Sequence, residues 1–187
     1  MKNRIFALAL GAMVCVAGRA YAQSDDQTQV IAQQGDWTAA SYAPTPTDPP
    51  SVCVAGSNST TSGLGMALRF DNQGDIDIRA TNSSWSLPAN ASGNITVAVN
   101  GHTYSYPATA ASSTMIDASL TQDQLTSLVG DMETANSLQL KVGSSAPTAI
   151  PLDGSQVVLT AFMTCSGIQD PSKNTGGVNP FSSSSSQ

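Results

Sequence analysis

Ile95-Thr-Val-Ala-Val-Asn-Gly-His-Thr-Tyr-Ser-Tyr106 reads as a β-hairpin from its own residues. Ile95, Val97 and Val99 alternate with Thr96 and Ala98, the period of a half-buried strand. Asn100-Gly101 is the preferred two-residue turn because both positions accept positive φ. Thr103 to Tyr106 returns, and Pro107 is expected to end the pair.

Working outward, the same logic recurs. Leu64, Met66, Leu68 and Phe70 alternate with small or polar residues, Asp71-Asn72-Gln73-Gly74 turns the chain, and Asp75 to Arg79 alternates again. Trp37 to Tyr42 and Ser51 to Ala55 are expected as earlier strands. Pro44, Pro46, Pro49 and Pro50 between them exclude regular structure and predict an exposed loop over 43–50. Downstream, Thr114 to Leu120, Leu138 to Val142 and Thr148 to Leu152 are expected as further strands. A helix over about 121–135 has the clearest local grammar. Thr121 and Gln124 form a capping box, Leu120 and Leu125 stand at staple positions, and Leu125, Leu128, Val129 and Met132 make one apolar face. A second helix, about 155–166, places Val158, Leu159, Phe162 and Cys165 on one side. The fold class that follows is mainly β (α+β), a small antiparallel β-sandwich with two short helices packed on it.

Residues 1–22 predict export. Lys2 and Arg4 precede an apolar run from Ile5 to Ala17, and Ala20-Tyr21-Ala22 supplies the small residues of a cleavage site, so cleavage is expected after Ala22. The run is too short for a membrane-spanning helix, which needs about 20 residues. The expected localisation is the periplasm or the extracellular medium, with no membrane insertion after cleavage. Residues 23–35 read as a polar N-terminal spacer, 36–168 as the β-rich domain, and 169–187 as a disordered Ser-rich tail.

Removing the leader takes Lys2, Arg4, Arg19 and Cys15. Four basic residues then face 13 acidic ones, a net charge near −9. So acidic a chain has little means of neutralising phosphates, which argues against nucleic acid as a partner. Cys53 and Cys165 remain, and in an oxidising compartment they are expected to form one structural disulfide. That bond would staple the second helix to an early strand.

In order and spacing this arrangement resembles the invasion-associated locus B family of secreted bacterial proteins. The likeness spans most of 35–166. It runs through Gly35-Asp36-Trp37, Cys53-Val-Ala-Gly-Ser57, Trp85-Ser-Leu-Pro88, Ile95 to Gly101, Leu120-Thr-Gln-Asp-Gln-Leu125 and Ile150-Pro-Leu-Asp-Gly-Ser155. The chain departs from the pattern at Ser41 and at Ala111-Ser112-Ser113, where such proteins often carry cysteine. The resemblance implies a secreted, non-enzymatic β-rich domain with an envelope or host-surface role.

The side chains that could carry chemistry are few. His102 is the single histidine. No serine sits in the G-x-S-x-G elbow that would accompany it in a hydrolase, so a solvent-facing or locally bonded His is expected. Asp71, Asp75 and Asp77, with Asn72 and Gly74, offer oxygen ligands for Ca²⁺. Their spacing is not that of an EF-hand and no bidentate Glu follows, so a plain turn is the preferred reading and no metal is assigned. Asp117, Asp123, Asp131 and Asp153 have no sequence neighbour that suggests a shifted pKa. Tyr104 and Tyr106 share one side of their strand and, with Trp85, are the candidate binding surface for sugars or apolar side chains, although aromatics at strand spacing more often belong to the core. No catalytic residues and no cofactor are expected. The function expected is a non-enzymatic binding module for a protein or envelope component. An inhibitor or chaperone-like binder using the 43–50 loop or a strand edge is the alternative, and a hydrolase the least favoured.

Overall fold

The computed structural model describes residues 27–58 and 63–168. The chain runs β1 (Gln27–Gln34), β2 (Trp37–Ala43), β3 (Val52–Asn58), β4 (Leu64–Asp71), β5 (Ile76–Asn82), β6 (Ser92–Val99), β7 (His102–Ser112), β8 (Met115–Ser119), α1 (Gln122–Thr134), β9 (Ser137–Val142), β10 (Thr148–Pro151) and α2 (Ser155–Ser166). The leader (1–22) and the tail (169–187) lie outside the described residues.

The fold is mainly antiparallel β with two short helices. In place of two stacked sheets, ladder hydrogen bonding runs unbroken through ten strands in the order β1-β2-β3-β4-β5-β8-β7-β6-β9-β10. The first five strands form a meander. The β6–β7–β8 meander then joins through β8, and α1 carries the chain across to place β9 beside β6. One face of the sheet is apolar from β2 to β10: Trp37, Cys53, Leu68, Ile78, Ile116, Tyr106, Val97, Leu140 and Ile150 are all buried. Against it the helices bury Leu125, Leu128, Val129 and Met132 from α1, and Val158, Leu159, Phe162 and Met163 from α2.

The sheet is strongly curled. Laid flat, β2 and β10 would stand about 38 Å apart at ~4.8 Å per strand. Instead the Trp37 indole Nε1–H donates to the carbonyl of Pro151 at the end of β10, at 2.8 Å. The β1–β2 turn also packs on the corner before α2. A Cβ added to Gly154, whose φ is 81°, would lie 2.6 Å from the Gln34 carbonyl oxygen. The sheet therefore closes through a corner contact, and α2 lies across β1, β2 and β3 where the ladder stays open. The Cys53–Cys165 disulfide ties α2 to β3 there.

Two expectations are corrected. Residues 27–34, read as part of a spacer, form β1, an antiparallel partner of β2 joined to it by the two-residue turn Gly35-Asp36. A register shift between Val30 and Ala32 interrupts the alternation that would otherwise mark a strand. Pro107 does not end its strand, because β7 continues to Ser112. The ladder to β8 begins only at Thr109, so on that side Pro107 has no hydrogen bond to lose.

Candidate functional site

Three places on the molecule gather polar or uncovered groups. The first is where the β6–β7 hairpin meets α1. Asn100 and Gly101 have φ of 52° and 82°, the double positive φ of the tight turn, which aligns Val99 with His102. His102, Tyr104 and Tyr106 then follow at every second residue on the face toward α1. Asp131 flanks the apolar stripe of α1 and meets them. Its Oδ2 accepts the Tyr104 hydroxyl at 2.5 Å and lies 2.6 Å from His102 Nδ1. Its Oδ1 takes a longer contact of 3.4 Å from the Asn100 amide, which also donates to Thr134 Oγ1 at 3.2 Å.

The electrostatics follow from that geometry. Burial acts to raise the Asp131 pKa, but hydrogen bonds from Tyr104, His102 and Asn100 outweigh it and hold the carboxyl below its ordinary value. Burial, then the Asp131 hydrogen bond and charge, push Tyr104 up to about 12. Burial alone pushes Tyr106 to about 12. The expectation that nothing shifts the pKa of Asp117 or Asp131 is thus corrected for both, Asp117 being taken up below; the partners of Asp131 lie 27 to 31 residues away in the chain.

His102 donating through Nδ1 would leave Nε2 facing solvent, and its side chain is 67% exposed. A carboxylate orienting an imidazole is one part of an acid–base site. Among the described residues no Ser, Thr or Cys side chain bonds to the ring. Of the two readings of the Tyr104–Tyr106 pair, core or exposed aromatic surface, burial favours the core. The rings stack at 6.3 Å, but Tyr106 is buried and Tyr104 half-buried under α1. Trp85 is half-buried in the loop after β5 and packs on the core, donating its backbone N–H to Asn82. The three aromatics do not make one open face.

The second place is the outer face of β4, β5 and β8. Arg69 bridges Asp71 (2.8 Å) and Asp77 (3.0 Å), and Arg79 bridges Asp117 at 3.1 Å and, more loosely, Asp77 at 3.8 Å. The ladder register puts Arg69 opposite Asp77 and Arg79 opposite Asp117, so these are cross-strand pairs. Asp71 also accepts the backbone N–H groups of Gln73 and Asp75 and so shapes the turn. Burial works to raise its pKa, but those amides and Arg69 lower it. Burial, with the Asp77 charge adding and Arg79 opposing, raises Asp117. Of the Ca²⁺ candidates, Asp71 and Asp77 are therefore engaged by arginine while Asp75 is exposed. No three His, Cys, Asp or Glu side chains converge as ligands among the described residues.

The third place is β1. No described segment pairs with its outer edge. A cavity of about 410 Å³ lies between Gln29 and Ile31 of β1 and Ala161, Thr164 and Cys165 of α2. A second, about 450 Å³, joins Thr28 and Gln29 to Pro46, Asp48 and Pro50 of the 43–50 loop. A third, about 520 Å³, runs from Gln34 along Asp153 to Val157 at the start of α2. The Pro-rich loop singled out from the sequence thus shares a surface with β1, a strand that the spacer reading of 23–35 does not contain. Its available cue was Gly35-Asp36 directly before Trp37, a two-residue hairpin loop with Gly first.

No described helix is long and apolar enough to cross a membrane. No family model, curated protein or solved structure matches the chain.

Proposed function

We propose that this chain is an exported, non-enzymatic interaction module of the bacterial envelope, a relative of the invasion-associated locus B proteins, that binds a protein partner along β1. The observation that carries the reading is the β1 surface: an uncharged strand, unpaired at its outer edge among the described residues, bordered by the Pro-rich loop on one side and α2 on the other. Strand edges are standing templates for protein association, and native folds usually blunt them. The disulfide suits an oxidising compartment, as export would require. It also fixes α2 beside the open edge, so the surface is organised before a partner arrives.

The Asn100–His102–Tyr104–Asp131 cluster reads here as a clasp between hairpin and helix. The test is site-specific photo-cross-linking in the producing cell. A cross-linker at Val30 should capture a defined partner, and one at Asp75, on the turn beyond the arginine ladder, should not. His102→Ala should leave capture unchanged. Capture from Asp75 alone, or a measurable turnover abolished by His102→Ala, would overturn the reading.

A further inference from the structure

We propose that the occupant of β1 is an extended segment with an apolar or β-branched middle and basic residues at both ends, added to the sheet as an eleventh strand. This rests on the binding role just assigned to β1 and specifies its ligand.

The two sheet edges differ in kind. β10 has 4 residues and ends in Pro151, so it offers little to pair with. β1 has 8 residues, Gln-Thr-Gln-Val-Ile-Ala-Gln-Gln, with no proline and no charge. In an antiparallel strand paired on one side, alternate N–H and C=O groups point away from the neighbour. Val30, at 57% exposure, and Val157, at 53%, are the exposed large apolar side chains of the described residues. One stands on β1 and the other lines the cavity that reaches its last residue.

Charge selects among occupants. Asp48 lines the cavity at the Thr28–Gln29 end. Asp36 follows the other end in the turn, and Asp153 lines the cavity beside Gln34. The two arginines of the outer face are bound to their own carboxylates. The edge is therefore neutral in the middle and acidic at both ends, which complements a strand basic at both ends. A second copy would set acid against acid. The register shift at Val30/Ala32 also bends and twists the edge, which suits a short segment that can follow it over a long straight strand.

The test uses the mature disulfide-bonded protein and synthetic strands matched to the 8 residues of β1. The probe alternates Thr and Val and carries Lys at both ends; a control carries Glu there. In NMR titrations at low salt the Lys-ended probe should perturb amides of β1, β2 and α2. It should bind about tenfold or more tightly than the control, with the difference fading at high salt. N-methylating one alternate set of its amides should abolish binding, and methylating the other set should not. Asp48→Asn and Asp153→Asn should each weaken it roughly two- to fivefold, the scale of exposed ion pairs. Equal binding of the two probes, perturbation elsewhere, no binding at millimolar probe, or concentration-dependent pairing of β1 with itself would overturn the proposal. If Val30 cross-links a partner through a helical or acidic segment, this inference falls while the broader binding role stands.

Discussion

Reducing the Cys53–Cys165 bond should cost a third or more of this domain's stability, and it should do so through the unfolded chain. The bond closes a loop of 112 residues, from β3 to the last turn of α2. In the chain-entropy relation, a loop of that length removes about 16 cal/mol/K from the unfolded ensemble, about 4.8 kcal/mol at 25 °C. A domain this size has roughly 5–15 kcal/mol in total. In the native state α2 is held independently by Val158, Leu159, Phe162 and Met163, all buried, so the bond is not what keeps it docked. Urea unfolding with and without reductant should then show a loss of about 4–5 kcal/mol and a steeper slope, because the reduced chain exposes more surface on unfolding. The melting temperature should drop by roughly 10–20 °C at 2–4 °C per kcal/mol. Cys53→Ala with Cys165→Ala should lose about 1 kcal/mol more, because the thiol volume at buried Cys53 goes too. Amide exchange supplies the discriminating result. If the reasoning holds, α2 amides in the reduced protein slow or quicken together with the core. A stability loss under about 1 kcal/mol, or selective fast exchange confined to α2, would refute it.

Gly154→Ala should destabilise by about 2–4 kcal/mol, from the left-handed φ of 81° and the 2.6 Å approach of a Cβ to the Gln34 carbonyl oxygen. Thermal melts would show it, with loss of the Trp37 indole's protection as the local sign that the sheet corner has opened. Tyr106→Phe should be neutral or stabilise by about 1 kcal/mol, because the Tyr106 hydroxyl is buried without a partner; a loss of more than about 1 kcal/mol in urea unfolding would contradict this. Asp71 and Asp131 have lowered pKa values, so the stability they contribute is present above the unfolded value near 3.9 and is lost as pH falls through their folded values. Asp117 is raised, so its contribution runs the other way and is lost as pH rises through its folded value. Carboxyl-carbon NMR titration should therefore find Asp117 titrating above Asp71 and Asp131, and the reverse order would refute the assignment.

The elements written by local chemistry were readable almost to the residue. α1 begins after Thr121, with both hydrogen bonds of the capping box in place, because that motif needs only four consecutive residues. The β6–β7 turn follows from Asn100-Gly101 for the same reason. β1 was hidden because Gln at four of its positions lowers the apolar contrast and the shift at Ile31 breaks the alternation. Half of the arginine ladder was within reach: once Asp71–Gly74 is a turn, Arg69 must face Asp77. Asp117 and Asp131 were not, because their partners arrive through β8 joining β5 and through α1 crossing the β6–β7 hairpin. Those placements are decided by burial of the whole apolar face, which no window of neighbouring residues encodes.

The charge distribution connects those long-range pairings to the role proposed for β1. By composition the chain is acidic, and acidity alone more often serves solubility than recognition. Arg69 and Arg79, however, are spent within the outer-face ladder, held between Asp71, Asp77 and Asp117. Both described arginines are thereby held on β4 and β5, three and four strands from β1 in the sheet order, and Lys141 lies on β9. What borders β1 is Asp36, Asp48 and Asp153, all exposed. The ion pairs that look merely structural thus leave the open edge with uncompensated acids at both ends. Arg69→Gln and Arg79→Gln would make the protein more acidic overall without touching that edge. Partner selection should accordingly respond to Asp48 and Asp153 and be indifferent to net charge.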